Sequence, residues 1–152
     1  MANEKKKRVY FDVCTLCRPF DDQNQMRIRL ETDAYYLILE AIKERDYEMS
    51  VSKVHREEVN AIEDQHERYE ILTLLKKYGV ERADDIAKAR TRGEELHAQG
   101  FGVADAAHLA YAEASADVLL SCDDKLLKKC RKTALHVIVM NPIEFCMQEG
   151  LK

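Results

Sequence analysis

The chain has 152 residues, 46% hydrophobic and 34% charged, with only five glycines, two prolines and a formal net charge of −4. That length fits one domain, read as spanning 1–152 with 1–7 as a flexible tail, and a chain of this size buries enough surface to fold without staples. The composition excludes disordered and collagen-like classes, and no apolar run approaches the roughly 20 residues of a membrane span.

The first segment, Met1–Arg8, is polar and basic and lacks the apolar stretch of a secretory signal, which predicts a cytoplasmic protein. Val9-Tyr10-Phe11 then reads as a strand buried on both faces. Gln25–Arg45 carries Ile28, Ala34, Leu37, Ile38, Ala41 and Ile42 near a helical period. Met49-Ser50-Val51 is the weakest of the strand signals. Lys53–Glu63, Arg68–Tyr78 and Arg82–Gln99 read as helices, and Ala104–Ser115 as an Ala-rich helix able to pack closely on a sheet. Val118-Leu119-Leu120 and Val137-Ile138-Val139-Met140 are two further continuous apolar runs, separated by a basic helix, Lys125–Lys132. Asn141 as N-cap and Pro142 at the first helical position open a last helix.

Strands alternating with helices predict an α/β fold with a parallel sheet covered on both faces. In such sheets function gathers at the carboxyl ends of the strands. The residues there are Asp12, Ser52, the run Ser121-Cys122-Asp123-Asp124, and Asn141. Asp12, flanked by Phe11 and Val13, needs a partner if buried. Glu58, Asp105 and Asp123 each admit an ordinary role, as solvated helix surface, first-turn acid and N-cap. Together with Asp12 they can converge at one sheet edge, where grouped carboxylates take up protons or bind a cation. An all-oxygen set suits Mg²⁺ or Mn²⁺. Lys125, Lys128, Lys129 and Arg18 are candidates for a nucleic-acid backbone. His108 reads as a helix-surface or partly buried residue, with a place facing the site as the alternative.

The segments Val9-Tyr10-Phe11-Asp12-Val13-Cys14, Ser52 to Glu58-Val59, Ala104-Asp105-Ala106-Ala107-His108-Leu109-Ala110 and Ala116-Asp117-Val118-Leu119-Leu120-Ser121-Cys122-Asp123 resemble, in order and spacing, the successive motifs of PIN domains. The resemblance covers about residues 8–145. It implies a three-layer α/β/α sandwich with a short central parallel sheet. It also implies metal-binding and catalytic positions at Asp12, Glu58, Asp105 and Asp123, with Ser121 supporting them. The family is mainly Mg²⁺- or Mn²⁺-dependent ribonucleases, including toxins of toxin–antitoxin pairs. The resemblance therefore implies cleavage of RNA, single-stranded rather than duplex, an antitoxin partner and a homodimer.

One position departs from the pattern. Val13-Cys14 follows Asp12 where the family usually has Ser or Thr and then Asn, which predicts weakened polar support for the acids. Two alternatives to the nuclease stay open. One is a PIN-like module that binds nucleic acid or protein without cleaving. The other is a thiol–disulfide oxidoreductase built on Cys14-Thr15-Leu16-Cys17.

Overall fold

The computed structural model describes residues 5–82 and 86–152. Five strands, β1 (Lys7–Phe11), β2 (Tyr47–Val51), β3 (Gly79–Glu81), β4 (Val118–Leu120) and β5 (Ile138–Met140), form one all-parallel sheet in the order β3-β2-β1-β4-β5. Among the described residues, eight α-helices cover it: α1 (Val13–Cys17), α2 (Met26–Lys43), α3 (Lys53–Asn60), α4 (Gln65–Tyr78), α5 (Ile86–Ala98), α6 (Val103–Ser115), α7 (Asp124–Arg131) and α8 (Pro142–Glu149). A short 3-10 turn, Arg18–Phe20, joins α1 to the loop before α2. The expected α/β/α sandwich is the observed architecture.

Central strand β1 explains the layering. Val9, Tyr10 and Phe11 are all buried, and side chains alternate across a strand. Val9 and Phe11 therefore face one core, with Ile38 and Ile42 of α2, Leu75 of α4 and Phe145 of α8. Tyr10 faces the other, with Leu96 of α5, Leu109 and Ala112 of α6 and Leu126 of α7. The register, Val9 opposite both Met49 and Val118, places the apolar runs side by side.

Several expectations change in detail. Lys7, placed in the tail by the sequence reading, is already paired in β1. Residues 1–4 lie outside the described residues, as do residues 83–85, part of the expected helix Arg82–Gln99; Arg82 itself is not helical and α5 starts at Ile86. The weak strand is real. Ser50 is fully buried in β2, and its hydroxyl donates to the Ser115 carbonyl at 2.9 Å, which removes the penalty of a polar residue there.

Strand β3 and helix α1 were not anticipated. β3 is three residues long with one apolar side chain, and it starts directly where α4 ends. Gly79 permits that junction: a Cβ would collide with the Leu75 carbonyl and come within 2.6 Å of Val51 Cγ1. Asn141 caps α8 as expected, accepting from the Ile143 N–H at 2.8 Å with Pro142 following. No helix among the described residues is long and apolar enough to cross a membrane.

Candidate active site

The strand order reverses at β1, whose neighbours are β2 on one side and β4 on the other. In open α/β sheets such a reversal opens a crevice outside the carboxyl ends of the strands, here those of β1 and β4. Asp12 is the first residue beyond β1 and Asp123 stands three beyond β4.

Asp12 is buried, its N–H still donating to the Leu120 carbonyl at 3.1 Å. It caps α1: Oδ1 accepts from the Thr15 N–H at 2.9 Å and the Thr15 hydroxyl at 2.7 Å. The Cys14 thiol donates at 3.1 and 3.2 Å to the two carboxylate oxygens. The polar support expected to be weakened is thus supplied one residue later, by Thr15, with the thiol as a further donor. Burial, then the Asp12 charge, push the Cys14 thiol far above its ordinary range, so it stays a protonated donor.

Asp123 caps α7, with Oδ1 accepting from the N–H groups of Lys125 and Leu126 at 3.0 and 3.3 Å. Ser121 is fully buried beneath it; its Oγ accepts from the Asp123 N–H at 3.0 Å and lies 3.8 Å from Cys14 Sγ. Asp105 sits in the first turn of α6 and, among the described residues, accepts no hydrogen bond. Glu58, on α3, accepts from His108 Nε2 at 2.6 Å.

Three of the acids bear electrostatically on the fourth. Burial raises the Asp105 carboxyl above its usual range, and the charges of Asp12, Asp123 and Glu58 raise it further, against a lowering by His108. The carboxylates are nevertheless not gathered as a ligand cluster. Among the described residues, no three of the His, Cys, Asp and Glu side chains form a group that could hold a metal ion. The physical reason is visible at each acid. Three are drawn to local donors, Asp12 to Thr15, Asp123 to its helix N-terminus and Glu58 to His108. Like charges with no cation between them gain nothing by closing up.

Sequence reading missed a buried polar chain behind the acids. Ser52 Oγ lies 2.8 Å from the Tyr10 hydroxyl, which lies 2.6 Å from His108 Nδ1, and His108 reaches Glu58 on its other nitrogen. His108 is buried, not on the helix surface. Asp105 and His108 are three residues apart on α6, so both project toward the same side. His55, also buried, stacks against Tyr10 and His108 with ring centroids 4.3 and 5.0 Å away. Its Nδ1 accepts from the Ser52 N–H at 3.0 Å and its Nε2 donates to the Phe11 carbonyl at 2.6 Å, the pattern of a neutral ring. Burial first, then the neighbouring His108, lower its pKa to about 3. Burial also keeps the Tyr10 hydroxyl protonated far beyond its ordinary pKa. The sequence signal was Tyr10 itself: a tyrosine inside a buried strand needs a partner for its hydroxyl.

The basic candidates divide. Lys125 and Lys128 stand exposed along α7. Arg18 is engaged by Asp21 at 3.0 Å and by buried Glu31 at 3.3 Å. Lys129 donates to the Gly100 carbonyl and lies 5.1 Å from the Phe101 ring centroid.

All five cysteines are free, and burial followed by Glu67 pushes the Cys17 thiol up to about 12. A redox Cys-x-x-Cys requires a thiol lowered toward neutrality. Cys14 and Cys17 are shifted the other way.

No protein-family model matches the chain, and no curated protein matches it. The fold does match solved structures. One is VapBC2 from Rickettsia felis, bound to a DNA fragment from their promoter, with a TM-score of 0.57 and 17% identity over 88% of this chain and 98% of that one. Another is FitAcB from Neisseria gonorrhoeae, with a TM-score of 0.50 and 19% identity over 88% of this chain and 97% of that one. At these identities the likeness is one of fold, and it extends over nearly the full length of both matched chains.

Proposed function

We propose that the chain is a metal-dependent nuclease that hydrolyses phosphodiester bonds in RNA at the crevice between β1 and β4. The observation that carries this reading is the convergence of charge on Asp105: acids from three other segments, Asp12, Glu58 and Asp123, act on one half-buried carboxyl at the fold's switch point. The resemblance of the motifs to PIN domains, and the likeness in fold to VapBC2 and FitAcB, support it.

The donor set fits Mg²⁺ or Mn²⁺, which bind through one or two carboxylates and keep several waters. A cluster of three direct protein ligands is not needed in that mode. Asp12 and Asp105 would hold the ion directly, and Asp123 and Glu58 would act on its waters. Bound there, the ion would supply a water of lowered pKa and stabilise charge on the leaving oxygen. The chain's own work is positioning. Thr15 and Cys14 fix the Asp12 carboxylate, Ser121 fixes the backbone before α7, and the Ser52–Tyr10–His108 chain orients Glu58. Lys125 and Lys128 would hold the substrate backbone beside the crevice. The same resemblance supports a toxin role in the cytoplasm, with two copies pairing and an antitoxin protein inserting into the acidic crevice.

Cleavage of labelled single-stranded RNA with Mn²⁺ or Mg²⁺, with EDTA and Asp12→Asn as controls, tests the proposal. Asp12→Asn is expected to abolish cleavage and the rise in melting temperature that Mn²⁺ gives the native protein. Full metal-dependent activity in Asp12→Asn would overturn the assignment. A second reading, a binding module that does not cleave, is favoured by the local partners already holding three of the acids. Absence of any Mn²⁺-dependent stabilisation in the native protein would select it.

A further inference from the structure

The opposite end of the sheet carries a second concentration of charge, of the other sign. Lys5, Lys6 and Arg8 run into β1, Lys43 and Arg45 close α2, and Lys77 closes α4; together they line an open cavity of about 700 Å³. All of these segments precede strands, so the cavity lies at the amino edge. Five-residue β1 separates it by roughly 16 Å from Asp12.

The one carboxylate in its wall among the described residues, Glu48, is already occupied. It accepts from Arg82 at 2.8 and 3.0 Å and pairs with Arg8 at 3.6 Å. Among the described residues, Lys5, Lys6, Lys43, Arg45 and Lys77 make no ion pair with any carboxylate. Glu44 and Asp46 belong to the same turn as Arg45 but do not line the cavity.

An ordinary explanation covers only part of this. Cations favour helix C-termini, which accounts for Lys43 and Lys77. It does not account for Lys5 and Lys6, nor for Arg45, which adopts a positive φ of 67°. Glycine or asparagine takes that geometry more readily, yet here the position carries a guanidinium on the cavity wall. Between the lysines, the half-buried Tyr78 ring has Lys77 Nζ and Lys43 Nζ at 5.4 and 5.9 Å from its centroid.

We propose that this cavity binds the phosphodiester backbone of a single-stranded nucleic acid, at a site distinct from the acidic crevice and independent of cleavage. Exposed lysines without a buried hydrogen-bonding partner among the described residues suit a repeated backbone charge better than one small shaped anion. A flexible single strand enters a concave site, whereas a duplex, with a persistence length of about 150 base pairs, resists such bending.

Fluorescence anisotropy of labelled oligo(U) and oligo(dT), in EDTA and on an Asp12→Asn background, tests this without reference to catalysis. The combined variant Lys6→Glu, Lys43→Glu and Lys77→Glu is expected to bind at least about tenfold more weakly. Its slope of log affinity against log salt should fall by about 2, at roughly 0.7 per phosphate contact. The matching Lys→Arg set should bind like the parent. If the Glu set fails to fold, Lys→Gln at the same positions gives the same comparison. The proposal is overturned if the charge-reversed or neutralised set keeps the parent's affinity and salt slope. It is equally overturned if phosphatidylserine vesicles are bound where the oligonucleotides are not.

Discussion

The two ends of the sheet are built on opposite plans. At the carboxyl edge nearly every polar group is held by another: Asp12 by Thr15, Glu58 by His108, His108 by Tyr10, Tyr10 by Ser52. At the amino edge the cations of Lys5, Lys6, Lys43 and Lys77 extend into solvent from element ends. Buried polar chains specify one geometry because each unpaired member would be costly. Exposed flexible charges specify only a field. The contrast separates a place suited to chemistry from a place suited to attraction.

Substitutions break this contrast to different degrees. His108→Ala should have the largest effect, destabilising the protein by about 3 kcal/mol in urea titration, because it opens a cavity and removes one of the two partners of the buried Tyr10 hydroxyl. An effect below about 1 kcal/mol would show that the chain does not organise this edge.

The next effect is a pH dependence. His55 binds its proton far less readily when folded, its pKa lowered to about 3 against an ordinary 6.5. The unfolded chain therefore takes up a proton that the native state refuses, so stability is full above about pH 6.5 and falls as pH drops toward 3. The slope attributable to His55 approaches about 1.4 kcal/mol per pH unit within that window. Unfolding free energies measured at pH 7, 6 and 5 should show it, with a flatter profile in His55→Gln.

Asp105→Asn should act in the opposite sense. The Asp105 pKa is raised on folding, so its charge opposes folding above the ordinary carboxylate range and relief comes as pH falls. Without metal, the variant should melt a few degrees higher at pH 7, with the difference closing at low pH. Equal melting temperatures at pH 7 would show that the acids do not repel in solution. The smallest change belongs to the amino edge, where neutralising Lys6, Lys43 and Lys77 should alter stability by less than about 0.5 kcal/mol each.

Much of the architecture was legible because parallel strands buried on both faces read as continuous apolar runs, as in Val9–Phe11 and Val118–Leu120. β3 was hidden by its length, and by a junction that depends on what Gly79 lacks. Asp12 was legible from its apolar flanks. The polar chain behind it was not, since Tyr10 finds its partners 42 and 98 residues away. The pairing of Arg18 with Glu31 was not legible either, since Glu31 lies on a helix whose buried charge no local pattern discloses.

Glu31 has one further consequence. Only 1% exposed, it meets Arg18 from the turn after α1, Arg27 one turn earlier on α2, and the Asn141 amide at 2.6 Å from beyond β5. Helix surfaces repeat closely enough that an apolar face alone tolerates sliding by a turn. A sealed carboxylate does not, since any slip would leave it facing hydrocarbon with its cations elsewhere. Glu31 thus acts as an index pin, setting the rotation and height of α2 against two distant stretches of chain.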